Sequence, residues 1–348
     1  MATLTEISYY GRKGIKWGLV GVIVISAAPF IYRGGLALYR RINPPPPPAP
    51  TVRYGKLPVL KFPKSPGDAA PVLRLETISG ALPKLPDVGN VYLVGINKSR
   101  LLELERMKAR ARSLGFTNDP IKESDHIYRF VHPTLPARLT VNLISGGFTY
   151  SLDYLNDRAQ FEPVTLPTIE EAGRQAKSFF STLGALPDDL AQGVVKSEYL
   201  IATFSGEMVQ APSYSEANFV RVDIFRGDRD KIKFVTSGGE TAPVNILFSG
   251  NVDKNKDIVA ANYQYSMIVG NDASTYPLKN TDQAWSELTQ GLGYIPKYFP
   301  TATVRNAYLA YYESDGPQDF IQPVIVFAGD GGFLGYVQAV DAKYINIP

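Results

Sequence analysis

The chain has 348 residues, with 36 Lys/Arg against 33 Asp/Glu, two histidines and no cysteine. Without cysteine there are no disulfides, thiolate metal sites or cysteine nucleophiles, and His126 and His132 alone would have to serve any histidine-based chemistry. Residues 1–43 hold six Lys/Arg and one Glu, so the rest of the chain is net −2 although the total is +3. That distribution argues against the clustered basic face of a nucleic-acid-binding domain, and no nucleic acid is expected as a partner.

Residues 17–32 form a run of sixteen without a charge. As a helix it is about 24 Å long, and extension to residue 39 brings it to the roughly 30 Å of a hydrocarbon core. Arg33 is placed to snorkel, and Trp17 at one end with Tyr32 and Tyr39 at the other matches an aromatic belt. These features predict a leader at 1–16 and a transmembrane anchor at 17–39 in contact with the lipid bilayer. Ser26-Ala27-Ala28 offers small residues for signal cleavage, but Pro29 follows and the apolar run continues, so the anchor is expected to be retained. Three basic residues flank it on each side, so the positive-inside rule does not decide its orientation. The short leader favours a single-pass cell-membrane protein with its N-terminus inside and its bulk extracytoplasmic.

Residues 40–71 are Pro-rich. The run from 44 to 50 predicts a semi-rigid polyproline II spacer of roughly 20 Å. Three helices are then expected, each stopped by glycine and each followed by strands. The first, 99–114, carries the stripe Leu101, Leu104, Met107, Ala111 and Leu114 and stops at Gly115. The second, 168–183, opens with the capping box Thr168/Glu171 and stops at Gly184. The third, 280–292, opens with Asn280/Gln283 and stops at Gly293. A nonpolar residue follows each glycine, as in a left-handed C-terminal cap. Strands are expected at 126–131, 137–143, 148–154, 194–204, 219–225, 231–236, 244–248, 258–269, 303–312, 320–328 and 333–340. Together these predict an α+β fold: an N-terminal transmembrane helix, a Pro-rich spacer, then repeated units of one helix packed on an antiparallel sheet. The units are expected at 72–165, 166–250 and 251–348.

The C-terminal stretch carries Tyr276-Pro-Leu-Lys-Asn-Thr-Asp-Gln-Ala-Trp285, Gly291-Leu-Gly-Tyr294, Tyr308-Leu-Ala-Tyr-Tyr-Glu313, Ile321-Gln-Pro-Val-Ile-Val-Phe327 and Tyr336-Val-Gln-Ala-Val340. With the overall layout, it resembles the YycH/YycI-type membrane-anchored regulators and related PepSY-like modules. It also resembles uncharacterised anchored proteins of candidate-phyla bacteria. The resemblance implies a helix-plus-sheet unit held outside the membrane on one N-terminal span, acting by contact with a sensor kinase.

No catalytic, cofactor or metal site is expected. The segment 253–257 places oxygen ligands at alternate positions, but it lacks the glycine of a calcium loop and holds two lysines. The carboxylate pairs Glu170/Glu171, Asp188/Asp189 and Glu313/Asp315 are read as helix-start or turn residues, since adjacent side chains on a helix do not face each other. The histidines are expected at strand ends or edges. Tyr263 and Tyr265 share one strand face, as do Tyr308 and Tyr312, with Tyr311 opposite. Those left exposed are the candidate partner-binding residues. The expected function is a non-enzymatic interaction module, a regulator or scaffold of an envelope protein. A glycan-binding or hydrolysing protein and a structural subunit of a secretion or pilus-like assembly are the alternatives.

Overall fold

The computed structural model describes residues 4–42, 49–67, 71–95, 100–154, 157, 161, 165–203, 207–251, 253–270 and 273–346. The chain divides into two units, Met1–Ala49 and Pro50–Pro348.

The first unit is one helix, α1 (Leu4–Ile42), which runs through Pro29. It takes in residues 4–16 of the expected leader, the expected span and the start of the expected spacer. Trp17, Tyr32, Arg33 and Tyr39 are exposed on it, as are Leu19, Val22, Ile25 and Phe30. Among the described residues, no helix is long and apolar enough to cross a membrane. The side chains of Val20, Ile23, Val24 and Ile31 lie outside the described residues, and so does the proline run 44–48.

The second unit opens with β1 (Leu57–Pro58), β2 (Val72–Leu75), β3 (Val88–Leu93) and α2 (Arg100–Ser113). Next come β4 (Ile121–Lys122), β5 (Ile127–Val131), β6 (Ala137–Asn142) and β7 (Phe148–Leu152). Helix α3 (Ile169–Thr182) and the single turn α4 (Asp188–Ala191) lead into β8 (Val195–Ala202), β9 (Met208–Gln210), β10 (Phe219–Ile224) and β11 (Lys233–Thr236). Then follow β12 (Val244–Ser249), β13 (Ile258–Tyr263), β14 (Ser274–Pro277) and α5 (Thr281–Thr289). The chain closes with β15 (Thr301–Glu313), β16 (Phe320–Gly329), β17 (Leu334–Gln338) and β18 (Ile345–Asn346). The unit is mixed α+β, mostly sheet with few helices.

The helices start and stop through local chemistry. At α3 the Thr168 hydroxyl accepts from the Glu171 N–H at 3.3 Å, and the Glu171 carboxylate accepts from the Thr168 N–H at 3.1 Å. At α5 the Asn280 Oδ1 accepts from the Gln283 N–H at 2.7 Å. After α2, Phe116 N–H bonds back to Ala111 and Gly115 N–H to Arg112; after α3, Ala185 bonds to Phe180 and Gly184 to Ser181. Both glycines have positive φ, the left-handed cap that a Cβ would strain. The third helix ends earlier than its sequence implies. Its left-handed residue is Gly291, with Leu292 N–H bonded to Glu287. Gly293 instead lets β17 approach α5, since a Cβ there would lie 2.6 Å from Leu288 and 2.8 Å from the Tyr336 carbonyl oxygen.

Two large sheets, not three helix-and-sheet repeats, organise this unit. The first has nine strands in the order β4-β5-β6-β7-β13-β12-β10-β8-β9. Every pairing in it is antiparallel. It joins strands from all three expected spans. One face is apolar: Phe130, Leu139, Val141, Tyr150, Val222, Ile246 and Ala261 pack with Met107 and Ala111 of α2 and Ala172, Ala176 and Phe180 of α3. The second sheet has seven strands, with β11-β15-β16-β3-β14 as its spine, β17 on β16 and β2 on β15. It is not purely antiparallel, because β2 and β11 both run parallel to β15. Its strands also come from distant parts of the chain, so the expected boundaries at 166 and 251 do not separate closed sheets. On one face Ala307, Ile325 and Phe327 meet Ala284 and Leu288 of α5. On the other, Ala310, Tyr312, Val324 and Val326 meet Leu60 and Phe62.

Those last two residues narrow the expected spacer 40–71, within which the loosely alternating 52–62 already reads as a domain edge: residues 51–65 are laid along the second sheet. Leu57 is fully buried, β1 pairs in parallel with β18, and the Pro58 carbonyl accepts from Gln322 Nε2 at 3.0 Å. Phe62 stacks on Tyr294 at 5.5 Å and meets Tyr312 edge-on at 4.8 Å.

Candidate interaction surface

Strand alternation gives the nine-stranded sheet a second, polar face. The residues opposite one another in register are Arg129, Thr140, Thr149, Asn262, Asn245, Asp223 and Lys196, one from each of seven adjacent strands. At ~4.8 Å per strand this row is about 29 Å long. A second row lies beside it: Val131, Arg138, Ser151, Ala260, Leu247, Arg221 and Glu198. All of these side chains are exposed or half-buried except Asp223 and Leu247.

The face is held in place by its own contacts. Asn262 donates to Asn245 at 3.1 Å, and Asn245 donates to the Ala242 carbonyl at 2.7 Å. Asp223 accepts from the Ala242 N–H at 2.9 Å and from Arg221 Nε at 3.0 Å. Burial pushes the Asp223 carboxyl above its ordinary range, against the pull of Arg221. Arg221 also pairs with Glu198, Arg129 with Glu123 at 2.7 Å and Lys196 with Glu240 at 3.5 Å. Amides and paired ions thus stand in fixed positions across strands beside the hydroxyls of Thr140, Thr149 and Ser151, and the fixed groups can hydrogen-bond a partner with little ordering cost. At one end the face runs into an aromatic wall, where Phe219 meets Tyr154 at 5.2 Å and Phe161 at 5.8 Å.

Beyond the strand ends, the loop 225–232 ties this sheet to the second. Arg226, almost wholly buried, donates to Glu313 at 3.0 Å, to Asp189 at 2.7 Å and to the Ser266 carbonyl at 2.8 Å. Its guanidinium lies 4.5 Å from the ring centres of both Phe234 and Tyr265. Burial works against its charge, but Glu313, Tyr265 and Asp189 outweigh that and hold its pKa above the usual arginine value. Glu313 is pushed up by burial, with Arg226 opposing. Asp230, at positive φ, accepts hydrogen bonds from Asn90 at 2.9 Å and from the Tyr92 hydroxyl, both on the second sheet.

The tyrosines singled out from the sequence divide by burial. Tyr311 and Tyr312 are fully buried on opposite faces of β15, and Tyr263 packs between Phe148 and Phe180. These three are core, so they cannot present a surface. Expected strand 258–269 ends at Tyr263, freeing half-buried Tyr265 to donate its hydroxyl to Asp189 at 2.9 Å. Tyr308 is half-buried in the same cluster as Leu60 and Phe62.

The carboxylate pairs point to separate partners. Glu171 caps its helix, Asp189 and Glu313 meet on Arg226 from distant positions, and Asp315 accepts from Ser237. In the 253–257 segment, Asp253 Oδ1 accepts from the Asn255 N–H at 3.0 Å, an Asx turn joining β12 to β13. His132 Nδ1 accepts from the N–H groups of Thr134 and Leu135 at 3.2 and 3.0 Å. Among the described residues, no group of three or more His, Asp or Glu side chains is arranged to hold a metal ion.

The sequence reading missed both the polar rows and the Arg226 node. The rows had a signal, since Thr140, Thr149, Ser151 and Asn262 alternate with apolar residues in their strands. The node had none.

No protein-family model matches this sequence, and no curated protein sequence matches it. Among solved structures, the chain is similar to the crystal structure of an uncharacterized protein from Eubacterium rectale ATCC 33656. The identity is 12%, the TM-score 0.40, and the match covers 76% of this chain and 86% of that one. YycH from Bacillus subtilis is a weaker neighbour, at 12% identity and a TM-score of 0.33, covering 72% of this chain and 53% of that one. This chain therefore matches about half the length of that YycH chain. Both are distant likenesses of fold, and neither bears on function.

Proposed function

We propose that this chain is a non-enzymatic, membrane-anchored extracytoplasmic interaction module that regulates or scaffolds an envelope protein. The polar face of the nine-stranded sheet is its contact surface. The observation that supports this reading most is the pair of cross-strand rows through Thr149 and Ser151, whose hydrogen-bonding groups are positioned and solvent-facing. The anchor belongs to the same proposal. The uncharged run 17–32 and the exposed apolar side chains of α1, such as Val22, Ile25 and Phe30, fit a lipid environment.

In-cell photocrosslinking tests the contact surface. A photoreactive residue at Thr149 or Ser151 is expected to capture a stoichiometric membrane or envelope protein, and one at exposed Thr182 on α3 to capture none. Capture that is equal from both faces, or absent from the sheet face, overturns the assignment; recovery of glycan instead of protein would redirect it. Topology has its own test. A Gly316→Cys variant places the only thiol of the chain at an exposed turn, where the new Cβ meets only Ser314 Oγ at 4.0 Å. Labelling by an impermeant maleimide in intact cells is the expected result, and protection there reverses the orientation.

A further inference from the structure

We propose that residues 51–55 form a strained latch over the outer edge of β14, able to open while the rest of the body stays folded. Val52 carries the strain. It has φ +43°, in the left-handed region that a β-branched side chain adopts only under constraint. Its N–H is fixed to the Thr275 carbonyl at 3.0 Å.

Around it, most bonds reach side chains rather than a regular ladder. The Thr51 N–H donates to Thr275 Oγ1 at 2.9 Å, and the Thr275 N–H to Thr51 Oγ1 at 3.0 Å. The Arg53 N–H donates to Ser274 Oγ at 2.8 Å. Tyr276 Oη accepts from the Tyr54 N–H and donates to the Gly55 carbonyl, both at 3.0 Å. Thr51 and Arg53 are exposed, so their polar contacts are ones that water can replace. Half-buried Val52 and Tyr54 also rest against the apolar cluster of Leu57, Val91 and Tyr276, with the Tyr54 ring 5.1 Å from that of Phe320. Against these contacts stands a strained residue that gains on release.

The next stretch is held differently. Leu57, Leu60 and Phe62 bury apolar surface, and Pro58 is clamped by Gln322 and Gln338 at 3.0 and 3.3 Å. The strap thus has an outer turn anchored by two half-buried side chains and exposed polar contacts, and an inner half anchored by the buried Leu57 and Leu60. The outer turn is the part of the body next in sequence to Ala49, the last residue of the first unit. A load arriving along the chain from that side reaches the turn first. Opening bares the N–H and carbonyl of Thr275 on the edge of β14.

Hydrogen exchange on the full-length chain tests this. Amides of Thr51, Val52, Arg53, Tyr54 and Thr275 are expected to exchange far faster than those of Ile325 and Phe327 in β16. Val52→Gly relieves the strain and should slow the first group about fivefold to tenfold, leaving β16 unchanged. Phe62→Ala should speed exchange at Leu60 and leave Thr51–Tyr54 near its original rate. Equal protection of the turn and β16 overturns the latch, as does unchanged or faster exchange in Val52→Gly. Simultaneous release of the turn with Leu60 overturns its independence. None of these outcomes depends on α1 crossing a membrane.

Discussion

Arg226 and Glu313 meet at 3.0 Å with both side chains almost completely out of water, one beyond the end of β10 in the nine-stranded sheet and the other closing β15 in the second. Removing one partner leaves the other buried without its counter-charge, a change that typically costs about 3–5 kcal/mol. Arg226→Leu is expected to fall in that range by urea unfolding, because it strands Glu313 and also Asp189. In a double-mutant cycle with Glu313→Leu, the combined cost should be well below the sum of the two single costs. Additive costs would show that the pair does not couple the two sheets.

His132 gives the fold an acid-sensitive point. Its Nδ1 accepts two backbone N–H bonds, which requires that nitrogen to be unprotonated, and desolvation holds its pKa below the ordinary 6.5. Between the folded pKa and about 6.5 the unfolded chain binds more protons. Its stability contribution is therefore complete above about 6.5 and is lost as pH falls through the folded value. A His132→Asn variant should flatten the slope of stability against pH in that window. An unchanged slope would remove His132 from the account.

Two neighbouring glycines should respond differently to alanine. Gly291 has φ +78°, so Gly291→Ala meets backbone strain of about 1–2 kcal/mol. At Gly293 the new methyl collides with the Tyr336 carbonyl and with Leu288. The expected cost is about 1–3 kcal/mol, with displacement of α5 from β17. Chemical shifts at Leu288 and Tyr336 should move in Gly293→Ala and hold still in Gly291→Ala.

On α5 the smaller apolar side chain should matter more. Leu288 is 2% exposed, whereas Trp285 is only half-buried and meets Phe327 at 5.4 Å between ring centres. Leu288→Ala is expected to destabilise by about 2–5 kcal/mol. Trp285→Ala should cost less than the roughly 3–5 kcal/mol of a fully buried indole. Thermal unfolding of the two variants decides the order.

Local features of this fold are legible in the sequence. The Thr168 and Asn280 starts, the stops at Gly115 and Gly184, and most strand positions follow from contacts within a few residues. Gly293 misleads because two nearby glycines serve different ends, one a cap and the other a close approach. The sharing of strands between sheets is hidden: β13 pairs with β7 and β11 with β15, and no local pattern encodes such distant pairings. The same limit hides Arg226, whose carboxylate partners lie far away on either side of it. The tyrosines mislead for another reason. A strand with both faces covered carries the same alternation as one with an open face, so Tyr311 and Tyr312 read as surface candidates.

The place of β13 also governs how this protein can fold. It pairs with β12, its neighbour along the chain, and joins β7 through only four residue pairs, Phe148 with Tyr263 through Ser151 with Ala260. Among the described residues, that seam is the one strand pairing between the β4–β7 half of the nine-stranded sheet and the half built from β8, β9, β10, β12 and β13. Each half can form from nearby strands, while the seam waits for a long loop to close and should be the slow step. Until it closes, β7 and β13 are free edges bearing Phe148, Tyr150 and Tyr263, each matched in register to the other. Two chains emerging side by side therefore offer each other the same seam, so strand exchange between chains is the misassembly that competes with closure of the monomer.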